Sequence, residues 1–142
     1  MIWKQPFTLE RLNAMNANTL GENLGMEFTE IGEDYIVAKM PVDDRTVQPY
    51  RLLHGGASVA LAETLGSVAS TMCIDDLGKK MAVGVEINAN HLRPATKGFV
   101  YGKVTPVRVG RSFHVWNVEI RDEKERLICA GRMTIAMVER GG

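Results

Sequence analysis

Glu63 is the residue whose setting most needs an explanation. It interrupts Ala57 to Ile74, a stretch otherwise made mostly of small and apolar residues, and Ser67 follows one helical turn later. A carboxylate in such surroundings is costly unless it is paired or used. It can attack an acyl carbonyl or act as a general base toward water, with Ser67 orienting the carboxylate or the water. The plainer alternative is a helix face that reaches solvent or an ion-pair partner. Just upstream, Gln48-Pro49-Tyr50-Arg51-Leu52-Leu53-His54-Gly55-Gly56 leads into the same helix. Two glycines at a helix start expose backbone N–H groups at the positive end of the helix dipole. Such groups can hold a carbonyl oxygen as it becomes an oxyanion. They also suit a tight loop-to-helix junction with no chemistry at all.

Spacing constrains the catalytic reading. Glu63 lies eight residues beyond Gly55, about 12 Å along a straight helix. A carboxylate and an oxyanion donor must meet within a few ångströms of one carbonyl carbon. If both residues act, Glu63 must come from a second copy of the chain.

Other reactive patterns are weaker. Gly56-Ala57-Ser58-Val59-Ala60 lacks the last glycine of a nucleophile elbow. His54, His91 and His114 are widely spaced, without the paired ligands a metal site needs. No phosphate-binding glycine loop occurs. Cys73 and Cys129 sit in apolar stretches and read as core residues. Arg93, Arg108 and Arg111 fall at strand ends or turns, where guanidinium groups can grip a phosphate. Taken as neighbours, they suggest a nucleotide-phosphate site; taken singly, each reads as a solvated surface arginine.

The elements that must position these residues are legible as patterns. Thr8 before Leu9, Leu12 and Met15 predicts a capped short helix. Gly25 to Pro41 predicts two strands turning at Gly32-Glu33-Asp34. The long helix is expected over Ala57 to about Ile74, buried, with Gly66 against another backbone. Four strands follow, Met81–Leu92, Phe99–Val109, Phe113–Arg121 and Leu127–Val138, with hairpin turns between them, Thr96-Lys97-Gly98 first. This order predicts one α+β domain over 1–142, an antiparallel meander wrapped on the helix.

The chain's 142 residues carry 17 basic and 17 acidic side chains. No net field therefore draws the surface to nucleic acid or anionic lipid. The two cysteines form no disulfide framework, and the opening residues lack a signal-peptide pattern. No apolar run is long enough to span a bilayer. The expected address is the cytoplasm.

One ordered series of motifs runs the length of the chain. It comprises Met1-Ile2-Trp3-Lys4, Met40-Pro41-Val42-Asp43, Arg45-Thr46, Gln48-Pro49, Leu52 through Ser58 and Leu61-Ala62-Glu63. Gly66-Ser67, Glu86-Ile87-Asn88-Ala89-Asn90-His91 and Asp122-Glu123 continue it. The chain thereby resembles, end to end, the small bacterial hotdog-fold acyl-CoA thioesterases. The resemblance implies a hotdog fold and a homotetramer of two dimers, with active sites at the dimer interface. It makes Glu63 the nucleophile or general base. It has the Gly55 N–H polarise the thioester carbonyl with Gln48 and His54 nearby, and Ser67 and His91 assist from the carboxylate's side. It puts acyl and CoA contacts at Gly84, at His91, Leu92, Arg93 and Pro94, and at Arg108, Val109, Gly110, Arg111, Ser112 and Phe113. No metal or cofactor is implied, since CoA belongs to the substrate.

The implied substrates are hydroxyaryl-CoA thioesters such as 1,4-dihydroxy-2-naphthoyl-CoA of menaquinone biosynthesis. The alternatives are a misacylated carrier protein in a siderophore pathway, or acyl-CoA held without turnover. Arg51 departs from the glycine usual before Leu-Leu-His-Gly-Gly, and the Asp75–Met81 loop is slightly longer than in relatives. Both bear on substrate choice. The His-Phe-Pro-Gly-like context of acyl-chain dehydratases is absent.

Overall fold

Thr8 accepts a hydrogen bond from the Arg11 N–H and so caps helix α1, Leu9–Met15, in the computed structural model, which describes residues 1–141. A single turn, α2 (Leu20–Asn23), follows; the sequence patterns did not predict it, because four residues are too few to show a period. Strands β1 (Glu27–Ile31) and β2 (Ile36–Pro41) form the expected hairpin. Helix α3 spans Gly55–Met72, two residues earlier at each end than expected. Its start shifts because both glycines adopt helical geometry behind the His54 cap. Strands β3 (Lys80–His91), β4 (Phe99–Val109), β5 (Phe113–Asp122) and β6 (Leu127–Glu139) lie within about a residue of their predicted bounds.

The fold is the α+β hotdog arrangement, an antiparallel sheet packed around a central helix. The sheet order, β1-β2-β4-β5-β6-β3, corrects the expected meander. Only β4-β5-β6 is a meander. β3 pairs with β6, so Thr96–Gly98 is not a hairpin turn but part of a crossing connection. That connection runs over the sheet end and is pinned there: Leu53 donates to the Ala95 carbonyl at 2.8 Å, and Val42 to that of Gly98 at 2.8 Å. Hydrogen bonds to the helix-entry loop and to the end of β2 thus take the place of hairpin pairing. β3 is left as a twelve-residue edge strand, with Val85 bulged out between Gly84 and Glu86.

α3 packs on β2 through β6, burying Leu61, Leu65, Ala69 and Met72. Each buried leucine contributes roughly 1.5–3 kcal/mol. The facing strands alternate, β5 turning His114, Trp116, Val118 and Ile120 inward. The helix is not buried all round, as expected, but on this face only. Gly66 sits beneath Met133 of β6, where an added Cβ would stand 2.6 Å from Sδ. The close contact predicted at Gly66 exists, but with a side chain rather than a backbone. At the C-terminal end of α3, the N–H groups of Lys4 and Gln5 donate to the Met72 carbonyl, and Trp3 stacks on Trp116. The N-terminal segment is thereby a strap over the helix end.

Candidate active site

The loop before α3 is held by its own backbone. Thr46, buried, donates its hydroxyl to the Pro41 carbonyl at 2.7 Å, and the His54 N–H donates to the Thr46 carbonyl at 2.8 Å. Val47 bridges Leu53, and Gln48 and Leu52 close a tight turn with Arg51 at φ +66°. That φ lies in the left-handed region, which favours glycine. Arg51 tolerates it while its guanidinium pairs with Asp44.

This loop delivers His54 as the N-cap of α3, with its Nδ1 accepting from the Gly56 N–H at 2.7 Å. Capping consumes Gly56. Among the described residues nothing accepts from the Gly55 N–H, which is left at the positive end of an eighteen-residue helix. The His91 ring stands directly over Gly55, where an added Cβ would come within 2.8 Å of Nε2. Gln48, Gly55, His91, Leu92, Arg93 and Pro94 line one hollow of about 330 Å³. The structure therefore brings together the donors expected to polarise a carbonyl.

Glu63 lies elsewhere. It is exposed on the α3 face that the sheet does not cover, at the margin formed by edge strand β3. Its Oε2 is 3.6 Å from where a Cβ on Gly84 would stand, so the lack of a side chain at Gly84 gives the carboxylate its room. Ser67 and Thr64 flank it along a groove whose apolar wall includes Leu12, Met15, Phe28, Val59 and Val68. Among the described residues Glu63 has no ion-pair or hydrogen-bond partner. An intramolecular ion pair does not explain this carboxylate.

Two expected groupings change. His91 does not join Glu63 and Ser67 within one chain; it belongs with Gly55 and Gln48, because β3 runs the length of α3 and ends beside the helix N-terminus. Arg93 does not neighbour Arg108 and Arg111. His91 pairs with Cys129, whereas Phe113 pairs with Ala136. Seven residues of β6 separate those registers, about 23 Å along the strand. Arg93 is therefore beside Gly55, and the β4–β5 turn bearing Arg108 to Ser112 is at the Gly84 end. Arg111, Val109 and Gly110 border a hollow with Lys4, Lys79 and Lys80.

The cysteines match their reading as packing residues. Both are free, and burial pushes the Cys73 thiol up to about 11 and raises that of Cys129. A cluster the sequence reading passed over is buried His114, whose Nδ1 is 2.9 Å from Ser70 Oγ. Trp116 Nε1 donates to the same hydroxyl at 2.7 Å. The signal was available in the period-two pattern of β5, which turns His114 inward together with Trp116.

Known proteins share this sequence and fold. Residues 50–129 match the Thioesterase superfamily. The chain is 51% identical over 138 residues to the 1,4-dihydroxy-2-naphthoyl-CoA hydrolase of Escherichia coli, covering 97% of this chain and 100% of that one. It is 48% identical over 138 residues to the proofreading thioesterase EntH of Cronobacter turicensis, covering 97% and 99%. A crystal structure of a thioesterase from Haemophilus influenzae superposes with a TM-score of 0.94 at 49% identity, covering 98% and 96%.

Proposed function

The chain belongs to the Thioesterase superfamily as a hotdog-fold acyl-CoA thioesterase, and from that premise we propose a dimeric enzyme that hydrolyses aromatic acyl-CoA thioesters. The observation that carries the dimer is the separation, within one chain, of the Gly55 donor from the Glu63 carboxylate. Both flank β3, an edge strand with Met81 and Val85 exposed along it. An edge of this length calls for a partner. Antiparallel pairing of two β3 strands carries the His91 end of one toward the Gly84 end of the other. Gly55, Gln48 and His91 of one subunit then face Glu63 and Ser67 of the partner subunit. The same pairing brings Arg93 toward the partner subunit's Arg111. A tetramer of two such dimers remains part of this proposal.

In the composite site the Gly55 N–H receives the thioester oxygen as charge develops on it. Glu63 either attacks the carbonyl carbon or takes a proton from water that attacks it. By the first route a mixed anhydride forms as CoA thiolate departs, and water then cleaves the anhydride. By the second, water adds and the thiolate leaves directly. Both routes end at carboxylic acid and CoA. Label in the Glu63 carboxylate after a single turnover in ¹⁸O-water establishes the first route, because water enters that carboxylate only by attacking the glutamyl carbonyl of the anhydride.

The acyl preference rests on the groove beside Glu63. Its wall of Leu12, Met15, Phe28, Val59 and Val68 suits a bulky apolar group, and Ser67 and Thr64 suit its hydroxyls. A rigid ring loses little freedom on binding. Expected kcat/KM is higher for 1,4-dihydroxy-2-naphthoyl-CoA and benzoyl-CoA than for palmitoyl-CoA or acetyl-CoA. Side-by-side kinetics on the four decide it, and a fastest rate on palmitoyl- or acetyl-CoA sinks the aromatic preference. The relatives differ in their named activities at nearly equal identity, so acylated carrier protein belongs in the same assay. CoA is favoured by the basic residues around the β4–β5 turn. Two free thiols suit a reducing compartment such as the cytoplasm.

A further inference from the structure

We propose that His114 is a positioning residue for the β4–β5 turn, holding in its neutral form the backbone that presents Arg108 to Ser112 to the phosphates of CoA. The inference rests on the reading of that turn as a CoA contact.

His114 is 2% exposed and is the first inward residue of β5 after the turn. Its Nδ1 stands 2.9 Å from Ser70 Oγ, in the last turns of α3. That hydroxyl already accepts from Trp116 Nε1 at 2.7 Å, so its own proton is free to point at Nδ1. Trp116, Ser70 and His114 thus form one buried chain that ties the start of β5, directly after Phe113, to α3. Gly110 is the turn's own closing residue, its N–H donating to the Phe113 carbonyl at 2.9 Å. Trp3 stacked on Trp116 and the ring of Trp116 edge-on to His114 fix the inner end of the chain.

A proton added at Nδ1 opposes the Ser70 hydroxyl and places a charge in the core. Burial accordingly lowers the His114 pKa, against the smaller opposite effect of Gly110. The charged and titratable groups that face this corner come from three directions. The N-terminal strap supplies Lys4, and the end of α3 with the following loop supplies Cys73, Asp75, Asp76, Lys79 and Lys80. The turn itself supplies Arg111, and β6 contributes Met137. Lys79 is partly balanced by Asp76 at 3.9 Å.

The test uses the full-length protein with 1,4-dihydroxy-2-naphthoyl-CoA or benzoyl-CoA, whichever turns over, and follows amide hydrogen exchange at Gly110 as well as kinetics. In the unaltered protein KM is expected to rise several-fold as pH falls below the ordinary histidine range, with kcat following its own profile. His114→Phe keeps the shape without the hydrogen bonds. It is expected to raise KM about five- to tenfold at neutral pH, to abolish that acid limb, and to speed exchange at Gly110. His114→Gln restores part of the protection, and Ser70→Ala, a smaller change, reproduces the effect should the phenylalanine variant not fold. Unchanged Gly110 exchange and an unchanged acid limb in folded His114→Phe or Ser70→Ala protein overturn the proposal. Faster exchange with KM unchanged, accompanied by an unchanged KM in Arg111→Ala, instead overturns the CoA reading of the turn and supports the hydrogen-bonded chain.

Discussion

Among the described residues Glu63 joins no ion pair, and its carboxylate lies 3.6 Å from where a Cβ on Gly84 would stand. Glu63→Gln is therefore expected to leave thermal unfolding within about 1 °C while removing the base or nucleophile. Such a loss costs several orders of magnitude in kcat with substrate still bound, because only the transition state uses the charge. Near-normal turnover in the folded variant would contradict the mechanism. Arg51 tests a different residue-scale property. At φ +66° a side chain costs about 1 kcal/mol, and the exposed pair with Asp44 returns less than that. Arg51→Gly and Arg51→Ala both remove the pair and differ in backbone strain. The glycine variant is expected to be the more stable by roughly 1 kcal/mol in urea unfolding. Equal midpoints would mean that the turn relaxes around any residue.

At the scale of elements, β3 and β6 must approach closely enough to keep Gly84 under Glu63. Gly131 of β6 permits this: a Cβ there would lie 2.1 Å from the Asn88 carbonyl oxygen and 3.0 Å from the Ala89 Cα. Both obstacles are backbone, so β3 itself has to move. Gly131→Ala is expected to lose about 2 kcal/mol or more and to lower kcat together with stability. Gly66→Ala is the control, since its obstacle is the flexible end of Met133, with Sδ at 2.6 Å. Denaturant midpoints of the two variants check the order. A milder effect at Gly131 than at Gly66 would show that the β3–β6 pair yields easily.

For the molecule as a whole, the decisive quantity is the span between the two half-sites, about 12 Å of helix. Glu63→Gln chains lack one half, and Gln48→Ala chains are defective in the other. Unfolding and refolding them together is expected to restore up to about a quarter of wild-type activity, the share of sites in which both halves are intact when chains mix at random. No recovery, with hybrid dimers demonstrated by mass spectrometry, rules out a shared site. Sedimentation of the unaltered protein gives the matching structural readout, a dimer or a multiple of it.

Local signals were enough for much of this molecule. The alternation of β5, the cap at Thr8, the small-residue helix and the glycines at its start are each set by neighbours within a few residues. Periodicity and capping report such interactions directly. The same locality made Glu63 visible, since a lone carboxylate among apolar residues stands out without any fold. Register and strand order are different, because they depend on which distant strand supplies the hydrogen bonds. Only the folded chain placed β3 outside β6 instead of beside β4, moved His91 from the carboxylate to Gly55, and parted Arg93 from Arg111. The partnership of Ser70 with His114 and Trp116 is of the same kind. Forty-four residues separate Ser70 from His114, and hydrophobic packing of α3 on the sheet, rather than any local propensity, closes that distance.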